Sequence, residues 1–260
     1  MAVTGTALAV TALGLAPLCA AELRALGLPV TGVDEAGVSF DATPETLARA
    51  HVGSAIASRI VVRLAQFEAR GFAELERHAK RVPWPRVLAP GRGVRLRVTA
   101  KKSKLYHTAA IAERLWPAIV AAGGVPPATP AATVPGDDDD DGPGADEAQL
   151  LVVRVHRDVV TISADASGAL LHRRGWRLAT AKAPMRETLA AALLAAAGYD
   201  GTGPLVDPLA GSGTIGIEAA RRARGLAPGL DRGFAFEQWP AHDPVPLARV
   251  REAVRHAARA

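Results

Sequence analysis

The run Pro204-Leu205-Val206-Asp207-Pro208-Leu209-Ala210-Gly211-Ser212-Gly213-Thr214-Ile215-Gly216-Ile217-Glu218-Ala219-Ala220 limits the fold more than any other stretch of this 260-residue chain. A short apolar segment ends in an acid, a Gly-Ser-Gly-Thr turn follows, and an alanine-rich amphipathic helix begins behind it. A parallel strand passes into a helix in this way around a nucleotide-like ligand. Glycine gives such a turn its backbone freedom, and the free amides of the helix N-terminus face polar ligand atoms. The run therefore predicts the first strand of an α/β domain at Leu205.

Several ligand classes compete for that turn. Gly211, Gly213 and Gly216 fit Gly-x-Gly-x-x-Gly, and Glu237 lies about twenty residues on, the spacing of a ribose-binding acid. On those residues alone a dinucleotide-dependent oxidoreductase stays open. No Gly-Lys-Ser/Thr follows, which excludes a Walker phosphate loop, and Ser212 is not framed as Gly-x-Ser-x-Gly, which argues against a hydrolase nucleophile. A strand-end carboxylate such as Asp207 suits the ammonium and sulfonium of S-adenosylmethionine (SAM) better than it suits a pyrophosphate.

The upstream chain reads as small α+β units. A strand at Thr4–Leu13, a helix at Pro17–Leu26 and a strand or hairpin at Val30–Phe40 come first, and a helix starts at Thr43-Pro44-Glu45. Ile60–Leu64 alternates like a strand, Gly71–Arg81 is a short amphipathic helix with Phe72 and Leu75 inward, and Val94–Thr99 is a half-buried strand. A helix at Thr108–Ala122 ends on Gly123-Gly124. Strands at Leu150–His156 and Val159–Ala164 flank a turn at Arg157-Asp158. Before these strands, Val125–Ala148 is rich in Pro, Ala, Gly and Asp, and reads as a mobile acidic loop or linker.

Composition narrows the setting. The lone cysteine, Cys19, excludes an internal disulfide and cannot build a metal site by itself, which points to a reduced, cytoplasmic location. Scattered histidines (His51, His78, His172, His242, His256) have no metal-ligand spacing, so no metal is expected. The apolar start, Ala7–Ala21, has no Lys or Arg before it and is broken by Gly14 and Pro17, which is not a signal-peptide pattern. No stretch is long and uncharged enough to span a membrane. Seven acids crowd into Asp137–Asp141, Asp146 and Glu147, and without them a chain of net charge +5 carries +12. A body that basic suits a polyanionic partner such as nucleic acid, or else is a solvated arginine-rich surface. The acidic run either mimics RNA phosphate against a basic face or is a solvated insertion.

Asp207-Pro208-x-x-Gly-Ser-Gly-Thr with Ile-Glu-Ala-Ala behind it resembles motif I of the Rossmann-like SAM methyltransferases that act on nucleic-acid amines. Leu171-His172-Arg173-Arg174-Gly175-Trp176-Arg177 and Ala183–Leu193, with Ala227-Pro228-Gly229 and Phe234–Trp239, resemble the THUMP-containing RlmL-type family. Gly14–Leu18 with Glu22-Leu23, Gly37–Phe40 and Lys101–His107 are similar to its N-terminal modules. Ala210 departs from a frequent Cys, at a position that is only a small spacer.

The resemblance implies an α+β N-terminal half followed by the start of an α/β Rossmann-like class I methyltransferase domain. It places a ferredoxin-like module at 1–48, a THUMP-like RNA-binding domain at 49–165 with the insertion 125–148, and an incomplete methyltransferase domain at 166–260. The implied activity is methyl transfer from SAM to the exocyclic amine of a guanine in large-subunit ribosomal RNA.

Asp207, Pro208, Gly211, Ser212, Gly213 and Thr214 are the expected cofactor residues, joined by Pro184 and Glu187 from the segment that leads into the pocket. Pro184 and Glu187 also read as a plain helix start. Lys101, Lys102, Lys104 and Tyr106, beside His107, are the expected RNA-backbone contacts, or else a charged strand-to-helix loop. Arg173, Arg174, Trp176 and Arg177 either clamp RNA, with the indole stacking on a base, or pack in the protein.

The family holds the target amine with an Asn/Asp-Pro-Pro-aromatic motif. Here Pro126-Pro127 follows Val125, and Asp243-Pro244-Val245-Pro246 lacks adjacent prolines. No catalytic residue is therefore assigned, Arg249–Ala260 reads as a helix cut in mid-course, and a C-terminally truncated chain, inactive alone, is expected. A catalytically inactive THUMP RNA-binding protein is the alternative.

Overall fold

The computed structural model describes residues 4–127, 148–176 and 185–258. In chain order, β1 (Gly5–Val10), α1 (Ala16–Ala25), β2 (Val30–Asp34), β3 (Gly37–Ala42) and α2 (Pro44–Gly53) come first. Next are β4 (Arg59–Glu68), α3 (Phe72–Ala79), β5 (Val94–Lys101), α4 (Thr108–Ala121), β6 (Gln149–His156) and β7 (Val159–Asp165). The last helices are α5 (Glu187–Ala196), α6 (Thr214–Ala223) and α7 (Pro244–Ala257). Single 3-10 turns lie at Trp84–Arg86 and Ala235–Gln238.

These elements group into two compact units, each drawn from three chain segments. One comprises Thr6–Ile60, Leu170–Gly233 and Asp243–Ala260; the other comprises Met1–Gly5, Val61–Ala169 and Phe234–His242.

In the first unit the strands run β2–β3–β1. Ala7 and Ala9 alternate into the core of β1, and Val38 and Phe40 do the same on β3. α1 carries Pro17 in its first turn and stops at Gly27, whose φ of +76° is the left-handed conformation that ends helices. α2 is capped by Thr43: its Oγ1 accepts from Thr46 N–H at 3.1 Å, and Thr43 N–H donates to Thr46 Oγ1 at 2.8 Å. α7 packs along α2, α5 packs along α6, and α1 also meets α5. His51 is buried in α2 with Nδ1 against the Leu47 carbonyl at 2.8 Å, a packing role.

In the second unit the order is β4–β7–β6–β5. β5 and β6 are parallel, in register from Val94↔Gln149 to Lys101↔His156, with α4 on the connection. β6 and β7 form a hairpin whose turn residues, Arg157 and Asp158, both have positive φ (52° and 63°). Leu75 of α3 and Ile111, Leu115 and Ile119 of α4 are fully buried, forming an apolar helix layer. Gln149 ties the far end of β6, donating to the Asp165 carbonyl at 2.8 Å and accepting from Trp239 Nε1 at 2.7 Å.

Two expectations need correction. Phe72 is only half-buried, with the Arg114 guanidinium 5.6 Å from its ring centroid, because the first turn of α3 lies at the rim. The strand expected at Leu205 is not formed: residues 204–207 carry no ladder pairing, and Val206 is 88% exposed. A strand exists only as part of a ladder, and no other strand lies beside this segment among the described residues. Most of the acidic insertion lies outside the described residues.

Candidate cofactor site and nucleic-acid interface

The glycine turn forms as the residues dictate. Gly211 and Gly213 adopt φ of +51° and +74°, conformations that a side chain would strain, and Gly213 is the residue from which α6 departs. Gly213 N–H donates to the Ala210 carbonyl at 2.7 Å, closing the turn, and the Ser212 and Thr214 hydroxyls lie 3.2 Å apart. Pro208, Gly211 and Ser212 are exposed, while Thr214 is buried.

Asp207 Oδ1 accepts from Leu209 N–H at 3.0 Å, yet its Oδ2 is buried with no hydrogen-bond partner among the described residues. A buried carboxylate oxygen without a donor is costly, and the ammonium of SAM is the kind of group that satisfies it. By that test these residues fit SAM. Gly216 fits a dinucleotide motif less well. A Cβ there meets nothing within 4 Å, whereas the third glycine of that motif serves close helix–strand packing. Glu237 spends Oε1 on the Phe234 N–H at 2.9 Å.

Behind the turn lies a buried polar cluster. Arg174 Nη1 donates to Glu218 Oε2 of α6 at 2.5 Å, and Nη2 donates to the Ala55 carbonyl at 2.6 Å. The loop that carries Ala55 is itself held by Glu22, which accepts from Ser54 Oγ, Ala55 N–H and Ile56 N–H at 2.7, 2.9 and 3.3 Å. Burial pushes the Glu218 carboxyl up, against the pull of Arg174 and Arg221. Burial also raises Glu22, opposed by its hydrogen bonds to Ser54, Ala55 and Ile56.

Arg174 is therefore not an RNA contact as expected from the sequence. Its side chain is 2% exposed and committed to Glu218, so phosphate cannot reach it. Glu187, expected to touch cofactor, is buried in the first turn of α5, within electrostatic reach of Arg174. Trp176 is half-buried with its indole beside Glu218, and Arg173 is exposed. Arg177 and Pro184 lie outside the described residues.

Lys101, Lys102, Lys104 and Tyr106 all stand in solvent at the β5–α4 junction. Tyr106 is 65% exposed, and its ring centroid lies 4.1 Å from that of His107. The backbone here is rigidly tied to the β6–β7 turn. Lys104 N–H donates to Asp158 Oδ1 at 2.7 Å, and Asp158 N–H donates to Ser103 Oγ at 3.0 Å.

Sequence reasoning left out three neighbours of these lysines, Arg154, His156 and Arg157. Only the parallel register, which sets His156 opposite Lys101, brings them in. Among the described residues no group of three His, Cys, Asp or Glu side chains is placed to hold a metal ion, and no helix is long and apolar enough to cross a membrane.

Comparison with known proteins bears on the cofactor turn and on the N-terminal segment. A family model described as an RMKL-like methyltransferase domain matches residues 174–260, and one described as an RlmL ferredoxin-like domain matches residues 6–61. The ribosomal RNA large subunit methyltransferase K/L of Syntrophotalea carbinolica is 35% identical over 88% of this chain and 32% of its own length.

The solved structure of SMU.472, a complex with S-adenosylhomocysteine (SAH), superposes at a TM-score of 0.82 with 30% identity. It covers all of this chain and 66% of that one. A Listeria monocytogenes structure described as a "predicted N6-adenine-specific DNA methylase" gives a TM-score of 0.83 and 31% identity, over 99% of this chain and 65% of that one. The chain spans between 32% and 59% of the length of the first curated relatives it matches.

Proposed function

We propose that this chain, which belongs to the RlmL-type methyltransferases through its RMKL-like methyltransferase domain (174–260) and its RlmL ferredoxin-like domain (6–61), binds SAM and RNA for methyl transfer to a base amine. The target is the exocyclic amine of a guanine in large-subunit ribosomal RNA. The observation that carries the cofactor reading is the buried Oδ2 of Asp207, without a partner among the described residues, beside a glycine turn that opens a helix.

SAM supplies an electrophilic methyl group on a sulfonium. Asp207 holds its ammonium, Gly211 and Gly213 let its amino-acid end approach the backbone, and Ser212 and Thr214 offer hydroxyls. Glu187, buried in the first turn of α5, supports the same site through Arg174, and Pro208 fixes the chain direction after the acid. Lys101, Lys102, Lys104 and Tyr106, with Arg173 and Arg177, hold RNA from residues 49–165 and the segment that follows. One relative is named for an adenine N6 in DNA and others for ribosomal RNA without a base; a guanine N2 and an adenine N6 are both exocyclic amines.

Calorimetry on the 260-residue chain tests this reading. SAM and SAH bind, NAD does not, and Asp207→Asn weakens SAM by about tenfold or more, roughly 1.4 kcal/mol, with an unchanged melting curve. Tight NAD binding without SAM binding overturns the assignment. The chain alone, lacking an Asn/Asp-Pro-Pro-aromatic motif, turns over no ribosomal RNA.

A second reading, RNA binding without catalysis, is favoured by the 88% and 90% exposure of Val206 and Leu209 on either side of the loop's acid. Intact RNA affinity with no SAM heat at all selects it.

A further inference from the structure

The exposed face of the β4–β7–β6–β5 sheet carries two cross-strand rows near the β6–β7 turn. One runs Gln66–Thr161–Arg154–Thr99 and the other runs Glu68–Val159–His156–Lys101. The opposite face buries Val153, Val155 and Val160, so the polar residues of these rows point away from the core. The turn adds Arg157, and the loop after β5 adds Lys102. We infer that Lys101, Arg154, His156 and Arg157 form one phosphate-binding surface for single-stranded RNA, continuous with the exposed ring of Tyr106. This deepens the RNA-binding part of the proposed function and rests on it.

Three observations support the surface. First, the cations are not spent on the protein: Arg154 and Arg157 make no side-chain hydrogen bond or ion pair among the described residues. The nearest acid, Asp158, already accepts from Lys104 N–H and faces Arg70 Nε at 3.8 Å. Second, Arg157 holds φ at +52°, where Asn or Gly is the favoured hairpin residue. A left-handed residue other than glycine or asparagine stores on the order of 1–2 kcal/mol, and strain of this kind gathers at functional positions.

Third, His156 is surrounded by positive charge. Its imidazole is held below the ordinary histidine value, by desolvation first and then by Arg157, Arg154, Lys102 and Lys101. The acid in its row, Glu68, is two strands away, at about 10 Å from the strand spacing.

A phosphate placed among these groups relieves the repulsion. His156 then takes up a proton, so affinity rises as pH falls through the histidine range. Tyr106 offers an aromatic face to an unpaired base, which a duplex cannot present.

The test is fluorescence anisotropy of the full chain with a labelled oligouridylate, with the matching RNA duplex and the DNA oligomer as comparators. Titrations run between about pH 5.5 and 8, where histidine changes charge, at several salt concentrations. The expected result is tighter binding to single-stranded RNA at the lower pH. Arg154→Gln with Arg157→Gln lowers the salt slope by roughly 0.7 per lost contact, and His156→Arg keeps the affinity while abolishing its pH dependence.

Circular dichroism confirms that the variants fold. Should these variants bind like the parent while replacement of Lys102 and Lys104 weakens binding, the inference is wrong and the RNA reading stands. No RNA binding by the parent overturns both. Equal or better binding to duplex or DNA removes single-stranded RNA as the ligand.

Discussion

Arg173 and Arg174 are adjacent in sequence and opposite in role. One stands in solvent, and the other is buried between a carbonyl 119 residues upstream and a carboxylate 44 residues downstream. Local sequence carries nothing that separates them, because burial depends on what distant segments bring. Asp207 is the contrary case: its carboxylate is read directly from a turn whose geometry is set by its own glycines.

The Arg174–Glu218 pair makes the first prediction. Arg174→Ala leaves the buried Glu218 without its ion-pair partner, so urea denaturation should show a loss of about 3–5 kcal/mol. Replacing both residues with apolar side chains should recover much of that loss, whereas an RNA-contacting arginine would give little change in either experiment.

His51 makes the second. Burial holds its pKa at about 3, with the nearby Arg232 adding to the effect. The unfolded chain takes up a proton near the ordinary histidine value, and the folded one does not. Stability from this group is therefore fully present above about pH 6.5 and is lost as pH falls towards 3, by at most about 1.4 kcal/mol per pH unit. His51→Gln should flatten that slope in a denaturation series across pH.

At the level of elements, helices and hairpins were legible wherever their ends are written in adjacent residues. Thr43-Pro44 starts α2, Gly27 ends α1, and Gly123-Gly124 ends α4, all close to where the sequence puts them. The strand at Leu205 was misread for the same reason: apolarity is a local property, and a ladder is not. The phosphate-binding rows on β5 and β6 were invisible because their register depends on a crossover of nearly fifty residues.

The β2–β3 hairpin offers a sharp test of close approach between strands. Gly37 has φ of +145°, and a Cβ there would sit 2.0 Å from the Ala9 carbonyl oxygen. That atom is backbone of β1, the strand paired beside β3, so it cannot give way. Gly37→Ala should cost about 2–3 kcal/mol by thermal unfolding, while Gly216→Ala, with open space around it, should be close to neutral.

For the whole molecule, the segmentation matters more than the boundaries of the matched domains. Residues 6–61 and 174–260 each match a family model, yet most of both lie in one compact unit, held by Arg174 on Ala55 and by Gly229 N–H on the Val52 carbonyl at 2.9 Å. Glycine turn, α6 and α5 belong to that unit; the basic strand tips belong to the other.

Two ligands should therefore leave two separate footprints. A ligand that binds only the folded state stabilises it by about 2.7 kcal/mol at a hundredfold excess over its dissociation constant. Exchange slows in the amides whose opening the ligand opposes. Hydrogen exchange with saturating SAM should protect residues 205–218 and leave 99–107 and 154–159 unchanged, and Asp207→Asn should reduce the effect. An oligouridylate should give the reverse pattern. Protection of the strand tips by SAM, or of the glycine turn by RNA alone, would show that the two binding functions have been assigned to the wrong parts of the chain.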